Sequence, residues 1–228
     1  MDRNEVKEVA SELLGWEGNK VFRTVKYLTI KPGQIITEYC QGEKQKYLSP
    51  VVYFFGIAGF ILYLQSLSGL DDFVRDPKYL KALKKMSELG WVLSDSQIIM
   101  FINIIENQTL MLILLLPVNL VATWFLFKKS NPSFKQSSWF VIYISAQSSF
   151  LFILPLLCFL FKFEGAFLFT YQLIAPTIIV YSIWAAMQFY KIELGRAILL
   201  IFLRLIILFP FLLLVYGTIF CIIYNYAQ

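Results

Sequence analysis

The sequence predicts an all-α, polytopic membrane protein, and three observations carry that prediction. Hydrophobic residues make up 58% of the 228 residues and charged residues only 15%, whereas a soluble domain is about 45–50% apolar and about a quarter charged. The mean hydropathy is +0.66. The apolar excess falls in blocks of about twenty residues, the length a helix needs to cross ~30 Å of hydrocarbon. The alternation of a membrane β-barrel is absent from these blocks.

Five spans are expected, at about 49–67, 109–127, 138–161, 167–190 and 197–224, which makes residues 48–228 a transmembrane domain. The first 47 residues show no apolar core of the signal-peptide kind, so the first span is expected to act as the insertion signal. Orientation follows the Lys and Arg count. With the N-terminus inside, the inner segments hold thirteen cations and the outer ones six, Arg204 lying within a span. The expected topology is N-inside and C-outside.

The first outer loop, about 68–108, holds "DPKYLKALKKMSELG". Asp76 can cap, Pro77 suits the first helical turn and Gly90 can close the end, so a helix is expected over about 77–89. Tyr79, Leu80, Leu83, Met86 and Leu89 share one face. It reads either as a surface-lying amphipathic helix or as a small helix packed on the outer loop ends. "SDSQIIMFINIIENQ" is expected to extend the second span.

Residues 1–47 are expected to form a cytoplasmic amphipathic collar. Val6, Val9, Ala10, Leu13 and Leu14 make one helical stripe, and Val21, Phe22, Val25 and Leu28 another, with Lys20, Arg23 and Lys26 off it. A basic amphipathic helix beside an anionic inner leaflet gains about 1 kcal/mol per cation. Pro32-Gly33 breaks the helix, "QIITEYC" allows two further turns, and Gly42 stops them. Lys44 and Lys46 are placed for phosphates. Ser49 can cap the first span, with Pro50 in its first turn. The collar lies on the inner leaflet, or packs under the bundle, or does both.

The same stretch carries a resemblance. Thr24, Pro32, Gly33, Ile36, Tyr39, Gly42, Lys44, Tyr47 and Pro50, followed by an aromatic-rich span, resemble the signature T…PG…I..Y..GKR..Y..P of a bacterial multi-pass family of unknown function. Its members usually carry an N-terminal zinc ribbon before four or five spans. These residues hold no Cys-x-x-Cys pair, so that ribbon is not expected among them, and the family's GKR is here Gly42-Glu43-Lys44. The resemblance implies a bacterial inner-membrane protein of about five spans and no particular activity.

The chemistry available is narrow. The chain has no histidine, which removes His bases, ligands and proton relays. Cys40, Cys158 and Cys221 fall in different segments and make no ligand cluster. No phosphate-cradling loop or nucleophile elbow is present. No catalytic residue, metal or cofactor is therefore expected, and the chain reads as a non-enzyme. The cations are not gathered on one soluble domain, so nucleic acid is not an expected partner. Membrane lipids are, with a protein partner or a second copy as further candidates.

Spans two to five each contain one proline, Pro117, Pro155, Pro176 and Pro210, expected to kink their helices. Such helices build transport sites in some proteins and are ordinary in others. Arg204, Asn119 and Gln147 fall at similar depths from the inner face on three helices, ~10, ~12 and ~13 Å by helical rise. They are the candidate lining of a polar recess, with Arg204 bonding Asn119, Gln147 or freed carbonyls; the alternative is Arg204 snorkelling to a lipid phosphate. The leading expectation is partner binding or membrane organisation. A small-solute permease or channel, possibly oligomeric, is the alternative.

Overall fold

The computed structural model describes residues 20–68, 108–130 and 132–226. The expected stripes at residues 6–14 and the outer-loop helix at 77–89 lie outside them. The described residues are all-helical. In chain order they form α1 (Lys20–Ile30), α2 (Pro32–Cys40), α3 (Pro50–Ser68), α4 (Gln108–Leu126), α5 (Phe134–Phe150), α6 (Ile153–Leu160), α7 (Glu164–Tyr190) and α8 (Leu194–Tyr226), with short 3₁₀ turns at Lys44–Lys46 and Lys128–Ser130.

Four stretches are long and apolar enough to cross a membrane: Lys44–Ser68, Phe134–Leu160, Gly165–Tyr190 and Leu194–Ile219. The expected second span falls in α4, where the apolar helix Ile113–Leu126 is shorter than the other four. Among the described residues there are thus four full-length candidates where five spans were expected.

Local chemistry sets the helix ends. Pro32 opens α2, where its missing N–H costs nothing. Gly42, at φ +106°, closes the hairpin. The Ser49 hydroxyl accepts from the Val52 N–H at the start of α3, the cap expected there. At the start of α5, Ser133 and Gln136 form a capping box, which moves the start of the third span from the expected 138 back to Phe134. That span is not continuous either: it turns at Leu151–Phe152 between α5 and α6. Pro155 explains the break, because its ring opposes the carbonyl four residues earlier, at Leu151. Pro117, Pro176 and Pro210 each lie inside an unbroken helix.

α5 is the centre of the assembly. It packs against α3, α4, α2, α1 and α7, while α8 packs on α4 and α7. α3 runs parallel to α5. Tyr53, near its start, hydrogen-bonds Gln147, and further on Ile61 and Leu64 pack on Leu156. Just before α3, the Leu48 carbonyl accepts from Tyr143. Tyr143 is nine residues past Phe134, about 14 Å along α5. α3 thus begins far up α5, and among the described helices it leaves the first part of α5 uncovered on that side.

The α1–α2 hairpin occupies that place. Leu28, Ile35, Ile36 and Tyr39 are buried in the same core cluster as Phe140, Tyr143 and Ile201. The boundary at residue 47 therefore separates no two cores. The buried face of α1 is Thr24 and Leu28, with Val25 packed beside it, while Val21 and Phe22 are exposed. This corrects the expected stripe of Val21, Phe22, Val25 and Leu28. The reason is polar: Thr24 turns inward because it bonds the backbone before α3.

Candidate functional site

The residues that carry the family resemblance mostly face inward. Thr24, Pro32, Gly33, Ile36, Tyr39, Tyr47 and Pro50 are buried, while Gly42 and Lys44 are exposed. Thr24 Oγ1 donates to the Lys20 carbonyl at 2.7 Å and accepts from the Leu48 N–H at 3.0 Å. With Tyr143 donating to the Leu48 carbonyl, the chain entering α3 is gripped on both backbone groups. Each bond of this kind is worth about 1 kcal/mol net, and more is lost when a buried partner is orphaned.

Two further anchors hold the hairpin. Tyr181 of α7 donates to the Leu28 carbonyl at 2.9 Å. The Gln147 amide of α5 donates to Thr29 Oγ1 at 3.0 Å while its carbonyl accepts from Tyr53. Tyr39 meets the edges of Trp139 and Tyr143 with ring centroids 5.8 Å apart, a favoured aromatic geometry.

Gly33 marks the closest approach. A Cβ placed there would collide with the Gln188 side chain and lie 2.6 Å from the backbone of Gln188 and Phe189. The Gly33 N–H donates to Gln188 Oε1 at 3.1 Å. Only a residue without a side chain lets α2 lie this close to α7.

Outward-facing positions of the same hairpin line an open groove of about 580 Å³ between α2 and α7, formed by Lys31, Gln34, Glu38, Gln41, Gln188 and Lys191 together with Gly33 and Thr37. Lys191 holds a left-handed conformation, φ 52°, as it ends α7. Glu38 accepts from Tyr47 and from the Gln34 amide, each at 2.6 Å. The Tyr47 hydroxyl first, then Gln34, holds its carboxyl below the usual 4.5. The groove therefore carries a fixed anion with Lys31 and Lys191 on its walls. Lys46 pairs with Glu43 at the nearby turn, and Lys44 is exposed there.

The expected recess residues are distributed differently. Gln147 is committed to Tyr53 and Thr29. Asn119 accepts from Thr123 at 3.3 Å. Arg204 is buried, with 8% of its surface exposed, and its Nε has no hydrogen-bond partner. The neighbour it feels is Tyr190, whose hydroxyl lies beside that of Ser137. Arg204 thus faces the bundle interior, but no hydrogen bond joins it to Asn119 or Gln147. The α1–α2 hairpin, placed against α5, takes up the Gln147 amide instead. Among the described residues no group of three or more Cys, Asp or Glu side chains could hold a metal.

Gln188, Tyr181 and Ser137 were not among the expected residues. The partners of Gln188 and Tyr181 lie 155 and 153 residues away in sequence, and no local pattern marks any of the three. Ser133 and Gln136 did carry a signal, the S-x-x-Q spacing of a capping box.

No curated protein and no solved structure matches the chain. Residues 19–62, which cover the α1–α2 hairpin and most of α3, match a family described as "Protein of unknown function (DUF3667)".

Proposed function

We propose that the protein is a non-enzymatic integral membrane protein of the bacterial inner membrane, N-terminus inside and C-terminus outside, which binds a protein partner at its cytoplasmic face. One observation carries this reading. The buried face of the hairpin is used up in packing, while its other face, with Gln34, Glu38 and Gln41, lines an open groove of both charge signs. Rigid backing is what a recognition surface needs, and interspersed charge gives partner specificity. The groove sits where Lys31 and Lys191 adjoin the inner leaflet in the N-inside orientation.

The test places a photo-crosslinking residue at Gln41 in intact cells, with Phe125, exposed on α4, as the control position. The expected result is an adduct of one discrete mass at Gln41, absent at Phe125 and lost when Lys31→Glu is added. Identical adducts at both positions would overturn the reading. A small-solute permease is the second reading, favoured by Arg204, which is buried with its Nε unbonded. Solute-dependent swelling of proteoliposomes carrying the protein, lost in Arg204→Gln, would decide for it.

A further inference from the structure

Among the described residues five buried side chains hold polar atoms without partners; Ser130 and Ser182 are two, and the other three come from three helices: Ser137 Oγ in the first turn of α5, Tyr190 Oη at the last residue of α7, and Arg204 Nε in α8. Ser137 is fully buried, and Tyr190 and Arg204 are 6% and 8% exposed. The Tyr190 hydroxyl stands next to Ser137 and within the field of the Arg204 guanidinium. The packing agrees with this. Phe127 stacks on the Tyr190 ring with centroids 4.2 Å apart and Phe140 lies 5.0 Å from it. Phe140 is one turn beyond Ser137, and Ile201, one turn before Arg204, belongs to the same core.

A buried guanidinium with an open N–H is expensive unless an acceptor meets it. The described carboxylate side chains are committed or distant. Glu38 is taken by Tyr47 and Gln34, Glu43 pairs with Lys46, and Glu193 is exposed eleven residues before Arg204. No fixed anion among them balances the charge. The donor set left over is one cationic N–H and two hydroxyls.

We propose that Ser137, Tyr190 and Arg204 form a binding site for a small monoanion of the halide class. A single acceptor would satisfy all three donors and neutralise Arg204. Phe127 and Phe140, packed on the Tyr190 ring, make the surroundings apolar and disfavour a highly hydrated ion. A halide loses its hydration shell at lower cost than a divalent oxyanion and fits between side chains. The site is independent of the α2–α7 groove and of any partner bound there.

The experiment uses the full chain in detergent, with thermal unfolding followed in potassium bromide and in potassium gluconate at equal ionic strength. Bromide is expected to raise the midpoint saturably in the wild type, and sulfate is not. In Tyr190→Phe and Ser137→Ala the half-saturating bromide concentration should rise about tenfold or more, the loss of one hydrogen bond to a charged group. Arg204→Gln should abolish the response. If Arg204→Gln does not fold, the two hydroxyl variants still decide the matter. Equal midpoints in bromide and gluconate, or a bromide response unchanged in Tyr190→Phe and Ser137→Ala, would overturn the proposal and leave water as the occupant. A failed crosslink in the groove would not touch this result.

Discussion

Replacing Gly33 with alanine tests the central packing claim of the fold. The added Cβ would meet the Gln188 side chain and lie 2.6 Å from the Gln188 carbonyl carbon and the Phe189 nitrogen. Those last two are backbone atoms in the final turn of α7, so no rotamer change can clear them. α2 must move away. Overpacking of a filled interior costs about 1–3 kcal/mol. The move also weakens the bond from the Gly33 N–H to Gln188 Oε1, worth about 0.5–1.5 kcal/mol. Alanine is the better helix former by about 0.5–1 kcal/mol, which offsets part of the loss. The net expectation is destabilisation of about 0.5–4 kcal/mol. Gly56, Gly59, Gly195 and Gly217 serve as internal controls, because a Cβ at any of them meets nothing within 4 Å. Alanine at those positions should be neutral or slightly stabilising. The assay is thermal unfolding of purified protein in detergent, with limited proteolysis of the hairpin as a second readout. A Gly33→Ala protein as stable as Gly59→Ala would refute the close approach of α2 to α7.

Two other perturbations probe the same hairpin. Thr24→Val keeps the shape but leaves the Leu48 N–H without its acceptor, and should cost about 1–3 kcal/mol, read as a lower unfolding midpoint with Thr24→Ser near wild type. The Glu38 carboxyl is held below 4.5 in the folded chain, so it adds stability that is fully present above pH 4.5 and lost as pH falls through the depressed folded value; Tyr47→Phe and Glu38→Gln should both flatten the fall in midpoint between neutral and acid pH, and an unchanged slope in both would refute the assignment.

Much of the fold is readable from the sequence because its largest signal is local. An apolar block of span length needs no knowledge of its neighbours, and the helices α3, α7 and α8 lie where such blocks lie. Turn chemistry is local too: Pro32, Gly42 and Ser49 act where their residue types predict. Legibility ends where burial is decided by distant partners. Val21 and Phe22 are more apolar than Thr24, yet Thr24 is the buried residue, because Leu48 supplies a donor 24 residues on. Gly33 reads as a helix breaker beside Pro32. Its structural reason is Gln188, 155 residues away. Arg204 follows the same pattern. Helical rise fixes how far along a span a residue lies, but not which face it presents, and Gln147 presents its amide to the hairpin.

The polar character of α5 follows from its place in the bundle. Ser145, Gln147, Ser148 and Ser149 sit within a stretch long and apolar enough to cross a membrane, an arrangement that would suit a solute path. All four are buried. In the apolar stretch of α5 and α6, 67% of the residues are buried inside the protein, against 12% and 11% in those of α7 and α8. A helix enclosed by other helices has no lipid-facing side to keep apolar, so polar residues on it cost little once bonded. Two of them are accounted for: Ser149 donates to the Ser145 carbonyl, and Gln147 joins Tyr53 to Thr29. With Gln147 acting as a strut between the hairpin and α3, this row gives a permease path no free amide. Gln147→Leu should therefore act as a stability variant. It should loosen the hairpin to protease by breaking the Tyr53 and Thr29 contacts together, with a combined cost of about 1–3 kcal/mol. A Gln147→Leu protein with wild-type protease resistance and wild-type unfolding midpoint would show that the amide is not a strut, and would return it to the list of candidate path residues.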